Sequence, residues 1–324
     1  MKTVAFFNNK GGVGKTSLVY HLAWMFADRG LSTVAIDLDP QANLTAMFLQ
    51  DTQLETLLQD EHRRTVYGCV QPLIRGTGDV AKPTLQVLTS KLSLIAGDLR
   101  LSKFEDLLSE KWPKALDGNE AAFRTLVAFS RILNLGAEEA RADIVLMDVG
   151  PNLGAINRAA LLPASDIVIP LGPDLYSLQG LQNLGPTLRE WKSGWAKRIE
   201  AAPPLDFKLP GGEMRTSGYV VMQFGMRDSR PVKAYQRWMD KIPSTYRESV
   251  LNSFVGPVPT VQDDPFNLAT LKHYQSLMPL AMEAHKPIFF LKAADGAIGA
   301  HAEAVKQCYA DFLRLANRID SRAG

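Results

Sequence analysis

Apolar positions along the first forty residues switch between two periods. A short continuous run, Thr3 to Phe7, has the pattern of a buried strand. After a glycine-rich turn, Leu18, Leu22, Met25 and Phe26 recur at helical spacing, and Gly30 closes the stripe. A second strand, Ser32 to Ile36, follows at once. Strand, helix and strand joined by such short links predict a βαβ unit with a right-handed crossover and parallel strands. The same grammar returns at Leu92 to Ala96, Asp143 to Met147, Asp166 to Pro170 and Tyr219 to Phe224, which read as further buried strands with helical stretches between them. The fold class expected is α/β, a doubly wound, mostly parallel sheet flanked by helices, in a single domain spanning residues 1–324. Residues 44–135 read as a mostly helical peripheral segment, interrupted by the turn-rich QPLIRGTGDVAKP. Residues 201–218, AAPPLDFKLPGGEMRTSG, read as a surface loop.

Composition narrows the class without naming a function. The chain has 324 residues, 46% hydrophobic and 22% charged, which suits an ordinary globular protein. Thirty-six basic against 34 acidic residues leave a net charge of +2, so any nucleic-acid surface must be a local patch. Cys69 and Cys308 lie far apart and outside any CxxC pair, which removes the usual zinc and iron–sulfur ligand sets and fits a reducing, cytoplasmic setting. No long uninterrupted apolar stretch predicts a membrane span.

The chemistry is concentrated in Gly11-Gly12-Val13-Gly14-Lys15-Thr16-Ser17, placed between the first strand and the first helix. In that position glycines let successive N–H groups turn inward on a phosphate, and the helix N-terminus adds the positive end of its dipole. Lys15 then reaches the β/γ oxygens, and the Thr16 hydroxyl offers a Mg²⁺ ligand. Lys10 stands before the glycines on the far side of the loop and needs another partner. Two aspartates, Asp37 and Asp39, leave the second strand within Asp-Leu-Asp-Pro-Gln-Ala-Asn, and Asp148 ends the apolar strand Asp143-Ile-Val-Leu-Met-Asp148.

The pattern Lys10-Gly-Gly-Val-Gly-Lys15-Thr16 resembles the deviant Walker A motif of the ParA/MinD family of ATPases. That resemblance implies a P-loop fold, bound ATP and Mg²⁺, slow hydrolysis stimulated by a ParB-like or other partner protein, and a homodimer in the ATP state. It implies that Lys10 touches the nucleotide of the neighbouring subunit. It also implies that Asp39 orients the attacking water, and that Thr16, Asp37 and Asp148 surround the metal. The family usually follows its strand-end aspartate with two prolines; here Asp148-Val149-Gly150-Pro151 has one, which predicts a more flexible switch II loop. The runs 167–184 and Lys286-Pro287-Ile288 are similar to later family segments. Gln223, at the end of the last predicted strand, is a candidate adenine contact. ParA members bind nonspecific DNA, and Arg227, Arg230, Lys233 and Arg237 lie where the resemblance places such contacts. The last helix, about Ala300 to Arg318, carries one broad apolar face, and no separate amphipathic membrane anchor is expected after it. The expected function is an ATP-switched device that positions or segregates a plasmid, chromosome or protein cargo. The alternative is a regulatory or assembly ATPase that recruits a protein partner without DNA.

Overall fold

The computed structural model describes residues 1–59, 62–222, 232–253, 256–272, 274 and 276–322, with only the backbone of 232–235. Eight strands form one sheet: β1 (Lys2–Phe6), β2 (Thr33–Asp37), β3 (Leu85–Thr89), β4 (Leu92–Ile95), β5 (Ile144–Asp148), β6 (Asp166–Leu171), β7 (Arg215–Met222) and β8 (Asn267–Leu271). Their spatial order is β3-β4-β2-β5-β1-β6-β7-β8, and every pairing except β3 with β4 is parallel.

Alternation along the strands divides the core in two. Ala5, Val145 and Met147 join one apolar layer, while Val4, Phe6, Ile144 and Leu146 join the other. The second layer is closed by α1 (Lys15–Asp28), α2 (Asn43–Phe48) and α3 (Asp51–Leu58), together with two helices near the C-terminus. The first is closed by α4 (Val66–Arg75), α5 (Glu105–Lys114), α6 (Glu120–Leu126), α7 (Ala128–Ala140), α8 (Ala155–Leu161), α9 (Leu175–Glu200), α10 (Val232–Met239) and α11 (Ile242–Thr245). The C-terminal pair are α12 (Leu277–Glu283) and α13 (Ala300–Arg322), and α13 turns Val305, Cys308, Phe312, Leu315 and Ile319 onto the sheet. A sheet covered on both faces explains why its central strands read as unbroken apolar runs.

Three differences from the sequence reading have local causes. The turn-rich stretch begins inside α4, which accommodates Pro72 and continues to Arg75 before Gly76 ends it with φ 64°. The loop after α9 ends at Met214, because β7 starts at Arg215, four residues before the predicted strand. It is also packed rather than free: the buried Trp195 indole donates to the Pro210 carbonyl at 2.9 Å, and Arg124 and Arg131 lie over the Phe207 ring. Finally, β3 and β8 were not expected. Sheet-edge β3 is only half-buried and turns antiparallel into β4 without an Asn-Gly or Asp-Gly turn, so neither of the usual hairpin signals marks it.

Candidate functional site

Parallel strands bring the loops after β1, β2 and β5 to one edge of the sheet, where ligands bind in folds of this kind. The register is direct: Phe6 and Asp37 each lie opposite Asp148. A phosphate loop, a switch aspartate and a strand-end aspartate therefore meet by sheet pairing alone.

The loop after β1 is built for an anion. Gly12 and Gly14 have φ of 70° and 79°, which L side chains rarely adopt. Gly14 begins α1 without a side-chain cap, and the first turn carries no acidic residue. The amides at this helix start are left to an external acceptor. Lys15 is buried, and its ammonium lies 3.3 Å from the Lys10 carbonyl. Burial lowers its pKa, while the charges of Asp148 and Asp39 work the other way. Met222 closes one side of the loop, with its Cε 3.0 Å from where a Cβ on Gly14 would sit.

The three carboxylates differ sharply in their partners. Asp37 is fully buried and accepts from the Thr45 amide (2.9 Å) and hydroxyl (2.7 Å). Burial raises its pKa to about 7, with the Thr45 bonds opposing and the Asp39 charge adding to the rise. Asp39 accepts from the Gln41 amide at 2.9 Å. Asp148 is fully buried, and neither of its oxygens has a hydrogen-bond partner among the described residues. Its pKa stands well above the carboxylate range, first through burial and then through the Asp37 charge; Thr16 and Lys15 pull it down. Two unpartnered carboxylate oxygens beside a second acid and a threonine suit a hard divalent cation, which prefers oxygen donors.

Lys10 is paired within its own chain: its ammonium lies 2.6 Å from Asp174 and 3.4 Å from the Ser177 hydroxyl. Asp174 caps α9 by accepting from the Ser177 amide. Burial favours the neutral acid there, but the Lys10 and Ser177 bonds hold the pKa below the usual value.

Several residues of the site carried no motif. Asn8 accepts from the Lys10 amide and donates to the Pro170 carbonyl, fixing the start of the phosphate loop to the end of β6. Glu105, from the peripheral helices, accepts the Ala155 and Ile156 amides at 2.6 and 2.8 Å and so fills the N-terminus of α8. The fully buried Asn157 donates to Gly150 and Asn152. These bonds tie the segment after β5 to α5 and α8. Their only sequence signal is polarity on a helix face that otherwise packs inward. His21 is likewise internal: Nδ1–H donates to the Ser17 carbonyl at 2.7 Å, and Nε2 accepts from the Ile288 amide, joining α1 to the Lys-Pro-Ile turn.

Gln223, Arg227 and Arg230 lie outside the described residues, and Lys233 is described only as backbone of α10. Arg237 is exposed, and its guanidinium lies 5.2 Å from the centre of the Trp238 ring, where Lys241 also packs. No helix among the described residues is long and apolar enough to cross a membrane.

An open helix N-terminus holding a buried lysine, with two buried strand-end acids beside it, defines a P-loop nucleoside triphosphatase. Residues 1–201 match the AAA domain family, and the chain belongs to it, with homologues of the ParA/MinD family. Protein IncC of Escherichia coli is 31% identical over 197 residues, covering 61% of this chain and 48% of that protein. Cell division protein PomZ of Myxococcus xanthus is 32% identical over 186 residues, 57% of this chain and 50% of that protein. The chain spans about half the length of the curated relatives it matches. Among solved structures, a Corynebacterium diphtheriae protein superposes with TM-score 0.73 at 26% identity, covering 100% of this chain and 99% of that one. A Borrelia burgdorferi plasmid partition protein bound to AMPPNP superposes with TM-score 0.60 at 16% identity, covering 97% of each chain, and shares the fold.

Proposed function

We propose that this chain binds and hydrolyses Mg-ATP, and that ATP joins two copies of it into a dimer. The dimer associates with nonspecific DNA and positions a plasmid, chromosome or protein cargo until a partner stimulates hydrolysis. The observation that carries the reading is the pairing of an uncapped P-loop helix with Asp148, which faces Thr16 and whose two buried oxygens have no hydrogen bond of ordinary geometry among the described residues.

Each residue has a distinct task in that scheme. The amides of Gly11 to Ser17 cradle the phosphates, and Lys15 carries positive charge to the β/γ oxygens. Thr16, Asp37 and Asp148 would hold Mg²⁺, which when bound neutralises charge on those same oxygens. Asp39 orients the water that attacks the terminal phosphorus. Lys10 leaves Asp174 and reaches the partner's nucleotide. Docking of a second copy is supported by Leu175 (44% exposed) and Tyr176 (71%), which follow the Lys10 partner Asp174 and leave apolar surface unburied beside it.

The experiment combines nucleotide titration, sizing and DNA shift on the full chain. Lys15→Ala is expected to weaken ATP binding more than about 100-fold, since it removes the buried charge facing the phosphates. Asp39→Ala is expected to keep binding, slow hydrolysis by about 10²-fold or more, and accumulate ATP dimers. Retention of ATP affinity by Lys15→Ala would refute the cradle. A salt-sensitive shift of random DNA by the ATP dimer supports DNA binding; no shift at low salt favours recruitment of a protein partner without DNA.

A further inference from the structure

Asn157 holds an oxygen that the hydrogen-bonding network does not use. Its side chain is fully buried in the first turn of α8. Its Nδ2 faces three acceptors: the Gly150 carbonyl at 2.9 Å, the Asn152 carbonyl at 2.6 Å and the Asn152 side-chain oxygen at 2.9 Å. Three acceptors on one side fix which end of the amide is nitrogen. Oδ1 therefore points the other way, and it has no partner among the described residues. An amide oxygen buried without a hydrogen bond is costly, and such exceptions call for a physical reason.

Its direction supplies one. A Cβ placed on Gly150 would lie 3.6 Å from Asn157 Oδ1 and 3.3 Å from Asp39 Oδ1. Two acceptors, one from the loop after β2 and one from α8, thus converge over the same glycine. Both are acceptors only, so neither can bond the other, whereas a water molecule can donate one proton to each. A water held in that way keeps its lone pairs free on the side away from both oxygens.

We propose that Asn157 is a second water-orienting residue of this ATPase, sharing with Asp39 the water that attacks the terminal phosphate. This rests on the ATPase reading above. In the step, the water oxygen bonds to the γ-phosphorus as the bond from phosphorus to the β–γ bridging oxygen breaks, and that electron pair leaves with ADP. One water proton passes to Asp39, and the other stays on the phosphate product. Asn157 transfers no proton; it fixes direction. The side chain at position 150 is limited for the same reason, because any Cβ there intrudes between the two acceptors.

The test uses the full chain and two substitutions that act from opposite sides. Asn157→Ala removes the oxygen. Gly150→Ala keeps the Gly150 carbonyl that Asn157 bonds and sets a methyl 3.3 Å from Asp39 Oδ1 and 3.6 Å from Asn157 Oδ1, where it crowds a shared water; Gly150 is not held at positive φ, so alanine fits its backbone. Both are expected to slow single-turnover ATP hydrolysis about tenfold or more while AMPPNP affinity stays within about threefold. A high-resolution crystal structure of the nucleotide-free protein is expected to show a water within about 3.2 Å of both oxygens, lost in Gly150→Ala. A merely structural Asn157 would leave the nucleotide-free protein without a water bridging its Oδ1 and Asp39, and that result overturns the proposal, as does unslowed hydrolysis by Gly150→Ala. Gly150→Ala keeps the test standing if Asn157→Ala does not fold. Wild-type protein that neither binds AMPPNP nor hydrolyses ATP refutes the ATPase reading itself; active wild type with unchanged variants refutes only the role of Asn157.

Discussion

The two rims of the sheet treat charge in opposite ways. At the N-terminal ends of the strands, Asp320 takes both Lys2 (2.8 Å) and Arg29 (2.9 Å), Asp166 takes Arg215 and the Ser217 hydroxyl, and Asp143 takes the Ser32 amide. At the C-terminal ends, Asp37, Asp39 and Asp148 crowd together, and Lys15 faces them without a direct ion pair to any among the described residues. One rim pairs its acids with its own basic side chains, leaving only single atoms such as Asp166 Oδ2 and Arg29 Nη1 without a hydrogen bond among the described residues. The other crowds acids together in a buried place, an arrangement that costs stability until a cation or another ligand offsets it.

The pH dependence of stability separates these groups, and the largest expected effect comes from His21, behind the phosphate loop. Burial lowers its pKa to about 4, against the Ser17 bond, which raises it. Protonation would force a proton onto Nε2, where the Ile288 amide already donates. The folded protein thus prefers neutral His21. The associated stability is full above the unfolded value of about 6.5 and is lost as pH falls towards about 4, a contribution of roughly 3 kcal/mol. Urea unfolding of wild type and His21→Gln between about pH 7.5 and 4.5 reads the difference. Wild type is expected to lose this much more than the variant; parallel curves would remove the histidine from the account.

Smaller, and opposite in sign, is the effect of easing the acid cluster. Asp37 and Asp148 have raised pKa values, so their cost to the folded state grows as pH rises from the unfolded carboxylate value through the folded one. Asp148→Asn is expected to stabilise the nucleotide-free protein by about 1–3 kcal/mol at neutral pH, with the gain shrinking towards about pH 4. At the other rim, Asp320→Ala is expected to destabilise by about 1 kcal/mol, because the pairs it breaks are partly exposed. Thermal melting of both variants without nucleotide checks the contrast. If Asp148→Asn melted lower than wild type, the functional rim would not be the strained one.

Legibility follows the same division. Lys15, Asp39 and Asp148 were readable because a P-loop must place particular residue types at fixed points after strands, and parallel pairing then brings them together. The βαβ start and the central strands were readable from apolar runs that only a doubly covered sheet requires. Asn157, Glu105, Asn8 and Thr45 were not, since each bridges two backbone segments that only the folded loops bring together. No local pattern encodes such a bridge. β3 and β8 were missed because sheet-edge strands are selected by a neighbour's open backbone more than by their own periodicity. The flexibility expected of switch II was read from a missing proline, and the bonds that Asn157 and Glu105 make to this segment were beyond that reading.

Lys10 belongs to neither rim's pattern: it sits at the functional edge yet is paired. In the proposed dimer its bond to Asp174 must break before it can reach the second copy, and both side chains are about a quarter exposed, so the expected cost is about 1 kcal/mol or less. Asp174→Asn keeps a side-chain oxygen for the Ser177 amide while removing the charge that detains the lysine. The freed lysine is expected to tighten the ATP-dependent dimer severalfold without altering nucleotide affinity in the monomer. Sedimentation of Asp39→Ala and of Asp39→Ala/Asp174→Asn with ATP reads this directly, because blocked hydrolysis lets the dimer reach equilibrium. Adding Lys10→Ala is expected to erase the gain. A gain that persists without Lys10 would mean that Asp174 opposes docking by its own charge, and the ion pair would then be a cap on α9 with no part in the switch.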